Sequence, residues 1–328
     1  MSKLAVIFGG SGFVGRYIAR RLAKEGWRVR VAVRRPNEAG FVRPYGAVGQ
    51  VEPVFCNIRD NASVAAALVG ATAAINCVGS FDRDGRNNFE AVQAEGAGRI
   101  ARLAAAGGVE RLVHISAIGA SAESDSEYFR SKAEGETNVL AAFPSAMILR
   151  PSAIFGPEDG LFNYFASMTR FVPFVMPLFS AATKFQPVYV DDVAAAAVKG
   201  VTEGTSGIYE LGGPDVVTLE ELVRYTLKET NRRRAVLKLP HWMARLAGWK
   251  LDLASKLTLG LFSNRILTRD QVRQLQSDCV VGAGASGLAD LGIAATDMGA
   301  IVPGYLYSYR PSGQYDAIKE SAKWLRNS

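Results

Sequence analysis

The amino-terminal half of the chain alternates short apolar runs, rich in β-branched residues, with segments that have helical periodicity. Continuous apolar runs of this kind are typical of strands that are buried on both faces of a parallel sheet. We predict strands at 4–8, 29–33, 51–55, 73–78, 111–116 and 146–150, and helices at 14–24, 61–69, 88–106 and 127–142. Because strands and helices alternate, the helices are expected to cover both faces of the sheet, as in doubly wound α/β domains.

The alternation loosens after residue 151, where prolines interrupt an aromatic-rich stretch. The pattern then predicts a strand that runs into a helix at 188–200, a strand at 208–211 and a helix at 218–230. Thr218 and Glu221 have the spacing of a capping box. Since no repeat or low-complexity linker separates the halves, we predict a Rossmann-type domain at 1–155 and a smaller, irregular C-terminal α/β domain at 156–328 that is interwoven with it.

A glycine-rich turn follows the first strand directly and opens the first helix. Its glycines are spaced Gly-x-x-Gly-x-x-Gly. Glycine adopts positive φ readily and leaves room both for a pyrophosphate and for close helix–sheet packing, and the helix N-terminus offers free N–H groups. We therefore predict a dinucleotide site formed by Gly9, Ser11, Gly12, Phe13, Val14 and Gly15.

The end of the second strand, VAVRRP, distinguishes between dinucleotides. An acidic residue at this position would bind both ribose hydroxyls of NAD. This chain has Arg34 and Arg35 instead, and a guanidinium can pair with the 2′-phosphate of NADP. The sequence therefore favours NADPH (NADP(H) over NAD(H)), with ordinary solvated charges as the alternative.

The glycine spacing resembles that of the short-chain dehydrogenases/reductases, in particular their extended or atypical branch. Three later segments match the same family: CNIRD at 56–60, NCVG at 76–79 and RPSAIFGP at 150–157. The chain departs from the family at Phe8, where Thr is usual, and at Asn57, where Asp usually contacts the adenine. The resemblance implies further nucleotide contacts by Asn57, Ile58, Val78, Gly79, Pro151 and Ile154.

Three polar residues match the catalytic set of the same family. Ser116 ends the fifth predicted strand, and Tyr128 and Lys132 begin a helix in YFRSK, where a spacing of four places them on one helix face. The resemblance implies that Tyr128 is the general acid/base, that Lys132 lowers its pKa and holds the ribose, and that Ser116 binds the substrate carbonyl. Tyr128 and Lys132 would equally hold a nucleotide without turnover, and both interpretations stay open.

The net charge of +7 is concentrated in two regions. Residues 1–50 contain ten Lys/Arg and two acidic residues, and residues 232–273 contain the same numbers, so each region has an excess of eight positive charges. The second region includes segment 238–267, in which Trp242 and Trp249 lie among apolar and basic residues. This composition favours a membrane surface or a large partner over nucleic acid, with a core helix as the alternative.

Other sequence features argue against a metal site, a disulfide framework, a transit peptide and a membrane-spanning helix. Cys56, Cys77 and Cys279 are widely spaced in apolar surroundings, which predicts reduced thiols and neither a metal site nor a disulfide framework. His114 lies in the middle of a strand and is predicted to be a core residue. The first strand begins close to Met1 and no apolar run reaches about 18 residues, so we expect no transit peptide and no spanning helix.

Four segments resemble one branch of the superfamily, the NAD(P)H-binding accessory subunits of respiratory complex I (alpha-subcomplex subunit nine type). These segments are RPSAIFGPEDGLFNYFASMTRFVPF at 150–174, KFQPVYVDDVAAA at 184–196, TRDQVRQLQSD at 268–278 and LADLGIAATDM at 288–298. The similarity covers nearly the whole chain in order. Its last two segments are not general motifs of the superfamily, so the resemblance is specific.

The resemblance implies a bacterial accessory subunit that holds NADPH away from the electron path, for stability or assembly. It implies other complex I subunits as partners, near the junction of the peripheral and membrane arms, and a peripheral location on the cytoplasmic face of the bacterial inner membrane. Segment 238–267 would then face the membrane surface or neighbouring subunits. Two alternatives stay open: a free-standing NADP-dependent reductase, epimerase or dehydratase that uses Ser116, Tyr128 and Lys132, and a sensor of the NADPH/NADP⁺ ratio.

Overall fold

The protein forms two compact units in a computed structural model that describes residues 3–79, 88–171, 174–239 and 277–311, with residues 85, 273–275, 313 and 315. The described residues of the first unit lie within Met1–Ser152, Val190–Gly212 and Val281–Ala295. Those of the second unit lie within Ala153–Tyr189, Gly213–Val280 and Thr296–Ser328. The chain therefore passes between the units several times.

A seven-stranded sheet forms the centre of the first unit. Numbered in chain order over both units, its strands are β1 (Leu4–Phe8), β2 (Arg28–Val33), β3 (Val51–Phe55), β4 (Ala73–Asn76), β5 (Arg111–Ile115), β6 (Met147–Pro151) and β11 (Gly207–Leu211). They lie in the order β11-β6-β5-β4-β1-β2-β3, and all neighbouring strands are parallel. The predicted doubly wound, Rossmann-type sheet is confirmed.

Helices cover both faces of this sheet. They are α1 (Phe13–Lys24), a 3₁₀ segment (Pro36–Tyr45), α2 (Asn61–Leu68), a π-helical turn (Glu90–Ala94), α3 (Glu95–Ala106), α4 (Glu127–Ala142) and α6 (Val190–Thr202). Helices α2, α3 and α4 share a buried apolar cluster with one face of the sheet, and α1 packs against α6. The predicted helix at 88–106 therefore begins with a π-helical turn, and the 3₁₀ segment was not predicted.

Residues 190–212 and 281–295, which the sequence assigned to the C-terminal domain, group with the first unit. The reason is physical: β11 pairs along the whole of β6, and α6 packs on α1. Arg21 of α1 adds two hydrogen bonds to the Asp191 carboxylate, at 2.8 and 2.7 Å. Asp191 lies in the first turn of α6, where a carboxylate suits the helix dipole.

The second unit combines two-stranded sheets with short helices. Its strands are β7 (Ile154–Phe155), β8 (Val175–Phe179), β9 (Lys184–Phe185), β10 (Val188–Tyr189), β12 (Val217–Thr218) and β13 (Ala235–Leu239). Its helices are α5 (Phe162–Phe171), α7 (Leu219–Glu229), α8 (Met298–Ile301) and α9 (Pro303–Leu306), followed by a 3₁₀ turn (Tyr307–Tyr309). The strands pair as β7–β10 and β8–β13, both parallel, and β9–β12, antiparallel. Aromatic and aliphatic side chains such as Phe155, Phe162 and Leu222 form its core.

Two sequence features of the C-terminal half can be compared with the structure. The capping box of α7 is confirmed, because Thr218 and Glu221 exchange both of its hydrogen bonds. Residues 240–272, with most of segment 238–267 and both Trp242 and Trp249, lie outside the described residues. Within the described part, no helix is long and apolar enough to cross a bilayer.

Candidate nucleotide site

The glycine turn connects β1 to α1, and Phe13 and Val14 are the first residues of that helix. Gly9 adopts a positive φ of 75°, and its carbonyl oxygen accepts a 2.9 Å hydrogen bond from the Gly12 N–H. Gly12 is the exposed N-cap of α1, and no side chain caps the helix. A Cβ on Gly15 would lie 2.5 Å from the Gly9 oxygen, so the helix can approach the turn this closely only with glycine there. The turn thus presents an uncapped helix N-terminus, which suits a phosphate.

Arg16, which the sequence analysis did not select, folds back over this turn. Its guanidinium donates to the carbonyl oxygens of Ser11, at 3.1 Å, and Gly12, at 3.3 Å. The same group lies 5.0 Å from the ring centroid of Phe41, in the 3₁₀ segment that follows β2. The signal that could have found Arg16 is its position directly after the last glycine of the motif.

Arg34 and Arg35 follow the last residue of β2, and both are exposed. The Arg35 guanidinium donates a 3.1 Å hydrogen bond to the Glu38 carboxylate, an exposed pair that contributes little to stability. Arg34 makes no hydrogen bond or ion pair with any residue that the structure describes. Of the two arginines, Arg34 is therefore the one that can turn to a ligand without breaking a contact.

The segment after β3 holds Asn57 and Ile58 by local contacts. The Asn57 side-chain oxygen accepts a 3.2 Å hydrogen bond from the Arg59 N–H, and the Asn57 N–H donates to the Ser63 hydroxyl at 2.9 Å. Ile58 packs against the apolar cluster under the sheet. The Asn57 side-chain oxygen therefore already accepts one hydrogen bond from the chain's own backbone.

Val78 and Gly79 follow β4 and lie between the glycine turn and α4. A Cβ on Gly9 would be 3.2 Å from Val78 Cγ2, and a Cβ on Gly79 would be 4.0 Å from Lys132 Nζ. The carboxyl ends of β1 and β4 and the first turns of α4 thus meet at one edge of the sheet. This edge is where doubly wound proteins bind their ligands.

Lys132 is a buried cation at this edge. Its Nζ donates a 3.1 Å hydrogen bond to the Ile115 carbonyl oxygen and lies 6.0 Å from the Tyr128 ring centroid, so Lys132 and Tyr128 share one face of α4. Burial lowers the pKa of Lys132 to about 8, against the opposing effects of the Glu136 carboxylate and the Cys77 thiol. A buried cation with so few partners is typical of a ligand site.

Ser116 takes part in a different set of contacts. It directly follows β5 and is buried, and its hydroxyl donates a short hydrogen bond to Glu136 Oε1. Arg150 donates to both Glu136 oxygens, from Nε at 2.9 Å and from Nη2 at 2.6 Å, and its Nη1 lies 3.5 Å from Glu210 Oε1. The hydrogen bond to Glu136 raises the pKa of Arg150 above its usual range, although burial opposes it. We call this set, Ser116, Glu136, Arg150 and Glu210, the carboxylate network.

Of the carboxylate network, Ser116 was predicted from the sequence as a site residue, and Glu136, Arg150 and Glu210 were not. Two signals could have found them: Glu136 lies four residues after Lys132, and Arg150 directly precedes Pro151 at the end of a buried strand.

The last two predicted nucleotide contacts fall in different units. Pro151 ends β6 in the first unit, and Ile154 begins β7 in the second.

His114 and Asn76 form a buried polar pair between β5 and β4. Asn76 Nδ2 lies 3.1 Å from His114 Nδ1, and because the amide nitrogen donates, Nδ1 accepts and Nε2 carries the proton. Among the described residues, His114 Nε2 has no hydrogen-bond partner. Burial, together with the charge of Lys132, lowers the pKa of His114 to about 3. The prediction of a core histidine is confirmed.

The other candidate groups offer no further chemistry. Cys56, Cys77 and Cys279 are free thiols. Within the described ranges, no three His, Cys, Asp or Glu side chains gather as a metal ion would require. The site that the structure assembles is therefore one of glycines, arginines and a buried lysine, which suits a phosphate-bearing ligand with hydroxyl groups.

Known proteins show the same combination of fold and motif. Residues 5–212 match the NAD dependent epimerase/dehydratase family. The chain is 34% identical, over 94% of its own length and 79% of the relative, to the mitochondrial NADH dehydrogenase (ubiquinone) 1 alpha subcomplex subunit 9 of Arabidopsis thaliana. It is 33% identical, over 78% of its length and 79% of the relative, to the ceramide reductase of Caulobacter vibrioides.

A solved structure extends the likeness of fold. The Bordetella bronchiseptica enzyme WbmG in complex with NAD superposes with a TM-score of 0.69 over 97% of this chain and 95% of that one, at 15% identity. At this identity the likeness concerns the fold. The family match, by contrast, covers more than half of the sequence. The chain therefore belongs to the NAD-dependent epimerase/dehydratase family.

Proposed function

We propose that this protein is an accessory subunit of respiratory complex I that keeps a bound NADPH and does not lie on the electron path. The observation that carries the proposal is the extent of the likeness to the Arabidopsis subunit. That likeness covers 94% of the chain, whereas the match to the general family ends at residue 212. The relative therefore shares the later half of the second unit, which the general family match does not include.

The first unit supports the nucleotide-holding part of this role. A dinucleotide fits the residues present: the uncapped N-terminus of α1 at Gly12 would receive the pyrophosphate, and Lys132 would bind the nicotinamide ribose. The second assignment is supported by the burial of Lys132, whose ammonium has one carbonyl partner at hydrogen-bond distance. A ribose hydroxyl would supply a further acceptor to this group.

Two arginines support NADPH over NADH. Arg34 is exposed beside the end of β2 without a partner among the described residues, and Arg16 is held at the glycine turn by two carbonyl oxygens. A 2′-phosphate carries its charge at the same end of a bound dinucleotide, close to the second strand. Pairing with a guanidinium there is charge-assisted and favours the phosphorylated ribose.

The second unit supports contact with other complex I subunits or with the membrane surface. Three large apolar side chains are exposed on or beside the β8–β13 pair: Phe174 is 79% exposed, Val175 42% and Leu237 51%. The basic segment 238–267, which contains Trp242 and Trp249, begins within β13. Our proposal places this side of the unit near the junction of the two arms, on the cytoplasmic face of a bacterial inner membrane.

Purification of complex I from mildly solubilised membranes tests the assembly role. We expect the chain to co-purify with the complex, and Phe174→Glu to release it into the soluble fraction. Val48→Glu is the matched control, because Val48 is a fully exposed apolar residue of the first unit and its substitution should leave the chain in the complex. A native chain found only in the free soluble fraction would contradict the proposal.

A second candidate function is the reduction of a carbonyl substrate, and the ceramide reductase relative favours it together with the Tyr128–Lys132 geometry. NADPH, when bound, would supply the hydride. The Tyr128 hydroxyl would donate its proton to the carbonyl oxygen, and the Lys132 charge would stabilise the resulting phenolate. We would test NADPH oxidation with a carbonyl panel that includes keto forms of ceramide-type lipids.

The variant Tyr128→Phe separates the two candidates. If the chain is a reductase, Tyr128→Phe abolishes NADPH oxidation and keeps NADPH binding within about threefold, since the ring still packs beside Lys132. Tyr164→Phe, an exposed tyrosine of the second unit, is the control and should oxidise NADPH normally. Absence of NADPH oxidation by the native protein with every carbonyl of the panel would remove this candidate.

A further inference from the structure

The hydroxyl of Ser116 has one proton, and in the structure that proton goes to Glu136. Ser116 and Glu136 are each 4% exposed, so bulk water does not compete for the contact. Glu136 also accepts two hydrogen bonds from Arg150, so the Ser116 hydroxyl joins an ion pair. A hydroxyl whose one proton is donated to a buried carboxyl group does not at the same time donate it to a substrate carbonyl.

The residues that follow Ser116 offer no substitute for this donor. Ala117 lies where the chain leaves β5 and has no polar side-chain atom. Ile118 is buried and apolar, and its N–H already donates a 3.0 Å hydrogen bond to the Pro151 carbonyl oxygen. Among residues 116–118, the Ser116 hydroxyl is therefore the one side-chain donor, and it is held by Glu136.

Glu136 also acts on Lys132, which lies on the same helix. One helical turn separates it from Lys132, and its charge favours the Lys132 ammonium against the effect of burial. The other titratable groups that face Lys132 are Tyr128 on the same face of α4, Cys77 after β4 and His114 in β5. Burial raises the pKa of Cys77 to about 12 and lowers that of His114 to about 3, so both are neutral near pH 7. Glu136 is the carboxyl group among them.

We propose that Glu136 is a positioning residue of the nucleotide site, which fixes α4 through Ser116 and Arg150 and places its carboxylate one helical turn from Lys132. The Ser116 hydroxyl then binds Glu136 and not a substrate carbonyl. Glu210 completes the carboxylate network from β11, where its second oxygen accepts a 2.8 Å hydrogen bond from the Gly282 N–H. The role assigned to Lys132 rests on the proposed function, but the contacts of Glu136 do not.

A direct titration of Lys132 tests the first half of the inference. Lysine residues labelled with ¹³C at Cε are followed by NMR across pH, and the Lys132 signal is identified by its loss in Lys132→Met. We expect Glu136→Gln to lower the titration midpoint of Lys132 by about one pH unit, because the carboxylate that stabilises the ammonium is gone. Glu134→Gln, on the same helix but exposed, should leave the midpoint unchanged. An unchanged midpoint in Glu136→Gln would overturn the inference.

Should Glu136→Gln not fold, Glu136→Asp provides the same test. The shorter side chain keeps the charge but retracts it, so the Lys132 midpoint should move in the same direction by a smaller amount. A midpoint that stays at the native value, or rises, in a folded Glu136→Asp protein would overturn the inference equally.

Thermal unfolding tests the second half. We expect Ser116→Ala to lower Tm by about 5 °C in the native background, since it removes a hydrogen bond to a buried charge. In the Glu136→Gln background the same change should lower Tm by less than half as much, because the two residues act on one contact. In the Glu136→Asp background, which keeps the carboxylate, Ser116→Ala should again lower Tm clearly. Equal Tm losses in the native and Glu136→Gln backgrounds would show that Ser116 does not serve Glu136.

Activity provides an independent check if a carbonyl substrate is found. Ser116→Ala should then keep kcat within about threefold, whereas loss of a true proton donor lowers it a hundredfold or more. A hundredfold loss would return Ser116 to the catalytic set. Neither the lysine titration nor the unfolding measurement needs a bound nucleotide. A native protein that contains no nucleotide would therefore count against the proposed function, but both measurements could still be interpreted.

Discussion

Two cations of the first unit have opposite electrostatic surroundings: Arg150, which is half-buried and contacts α4, and Lys132, which is buried and belongs to α4. Arg150 is held by the Glu136 and Glu210 carboxylates, and its pKa is raised. Lys132 has the Ile115 carbonyl oxygen as its hydrogen-bond partner, and burial lowers its pKa to about 8. A cation that is fully paired stabilises the fold, whereas one that is retained without adequate pairing marks a ligand site. The contrast separates the structural part of α4 from its functional part.

The largest effect should come from Arg150→Met. Removing the guanidinium leaves Glu136 and Glu210 close together without a counter-ion, so we expect the free energy of unfolding to fall by about 3–4 kcal/mol. Chemical denaturation measures this change. Arg224→Met, which removes an exposed arginine paired to Glu220 on α7, is the control and should hardly alter the midpoint. If both variants unfold at the native midpoint, the carboxylate network is not structural.

Lys132→Met should act in the opposite direction on stability. The pKa of Lys132 falls from 10.5 to about 8 on folding, so the charged form is disfavoured in the native state. Replacing it with an apolar side chain of similar length should raise the free energy of unfolding by roughly 2 kcal/mol at pH 7. Nucleotide binding, measured by NADPH fluorescence, should be lost in the same variant. A less stable Lys132→Met protein that still binds NADPH would reverse our assignment of the two cations.

The pH dependence of stability tests the same comparison, and the expected effect is smaller. Between about pH 8 and 10.5 the unfolded chain keeps a proton on Lys132 that the folded chain has released, so the free energy of unfolding should rise with pH across this window. Below pH 8 both states hold the proton and the unfavourable effect of burial is fully present. Lys132→Met should flatten the rise in urea denaturation series, whereas Arg150 should contribute no slope there. Parallel curves for the native protein and Lys132→Met would contradict this account.

A weaker version of the contrast exists on the surface, where Arg35 is paired to Glu38 and Arg34 has no partner among the described residues. Arg34→Ala should weaken NADPH about tenfold relative to NADH, which is about 1.4 kcal/mol. Arg35→Ala should have a smaller effect on the ratio of NADPH affinity to NADH affinity. Calorimetric titration with both nucleotides measures it. Equal weakening of NADPH and NADH by Arg34→Ala would remove the 2′-phosphate assignment.

The features that the sequence predicted well depend on short-range patterns. Strand β1, the glycine turn and the capping box of α7 are each specified within about a dozen residues by apolar runs, glycine spacing or polar pairs. The Tyr128–Lys132 pair is likewise set by helical periodicity.

The features that were missed depend on contacts between distant segments. Ser116 ends a strand, but whether its hydroxyl faces a ligand or Glu136 is decided by how α4, β6 and β11 pack beside β5. The placement of residues 190–212 in the first unit depends in the same way on the pairing of β11 with β6. No local pattern in the chain reports such pairings, so the sequence predicted two interwoven domains but not which C-terminal residues return to the first unit.

The central claim is that the first unit keeps an NADP nucleotide, and the nucleotide released from the native protein tests it most directly. The protein is purified without added nucleotide and denatured, and the released small molecules are identified by mass. We predict NADPH or NADP⁺ in amounts close to equimolar with the chain. A protein that releases no nucleotide, or NAD(H) alone, would contradict the account.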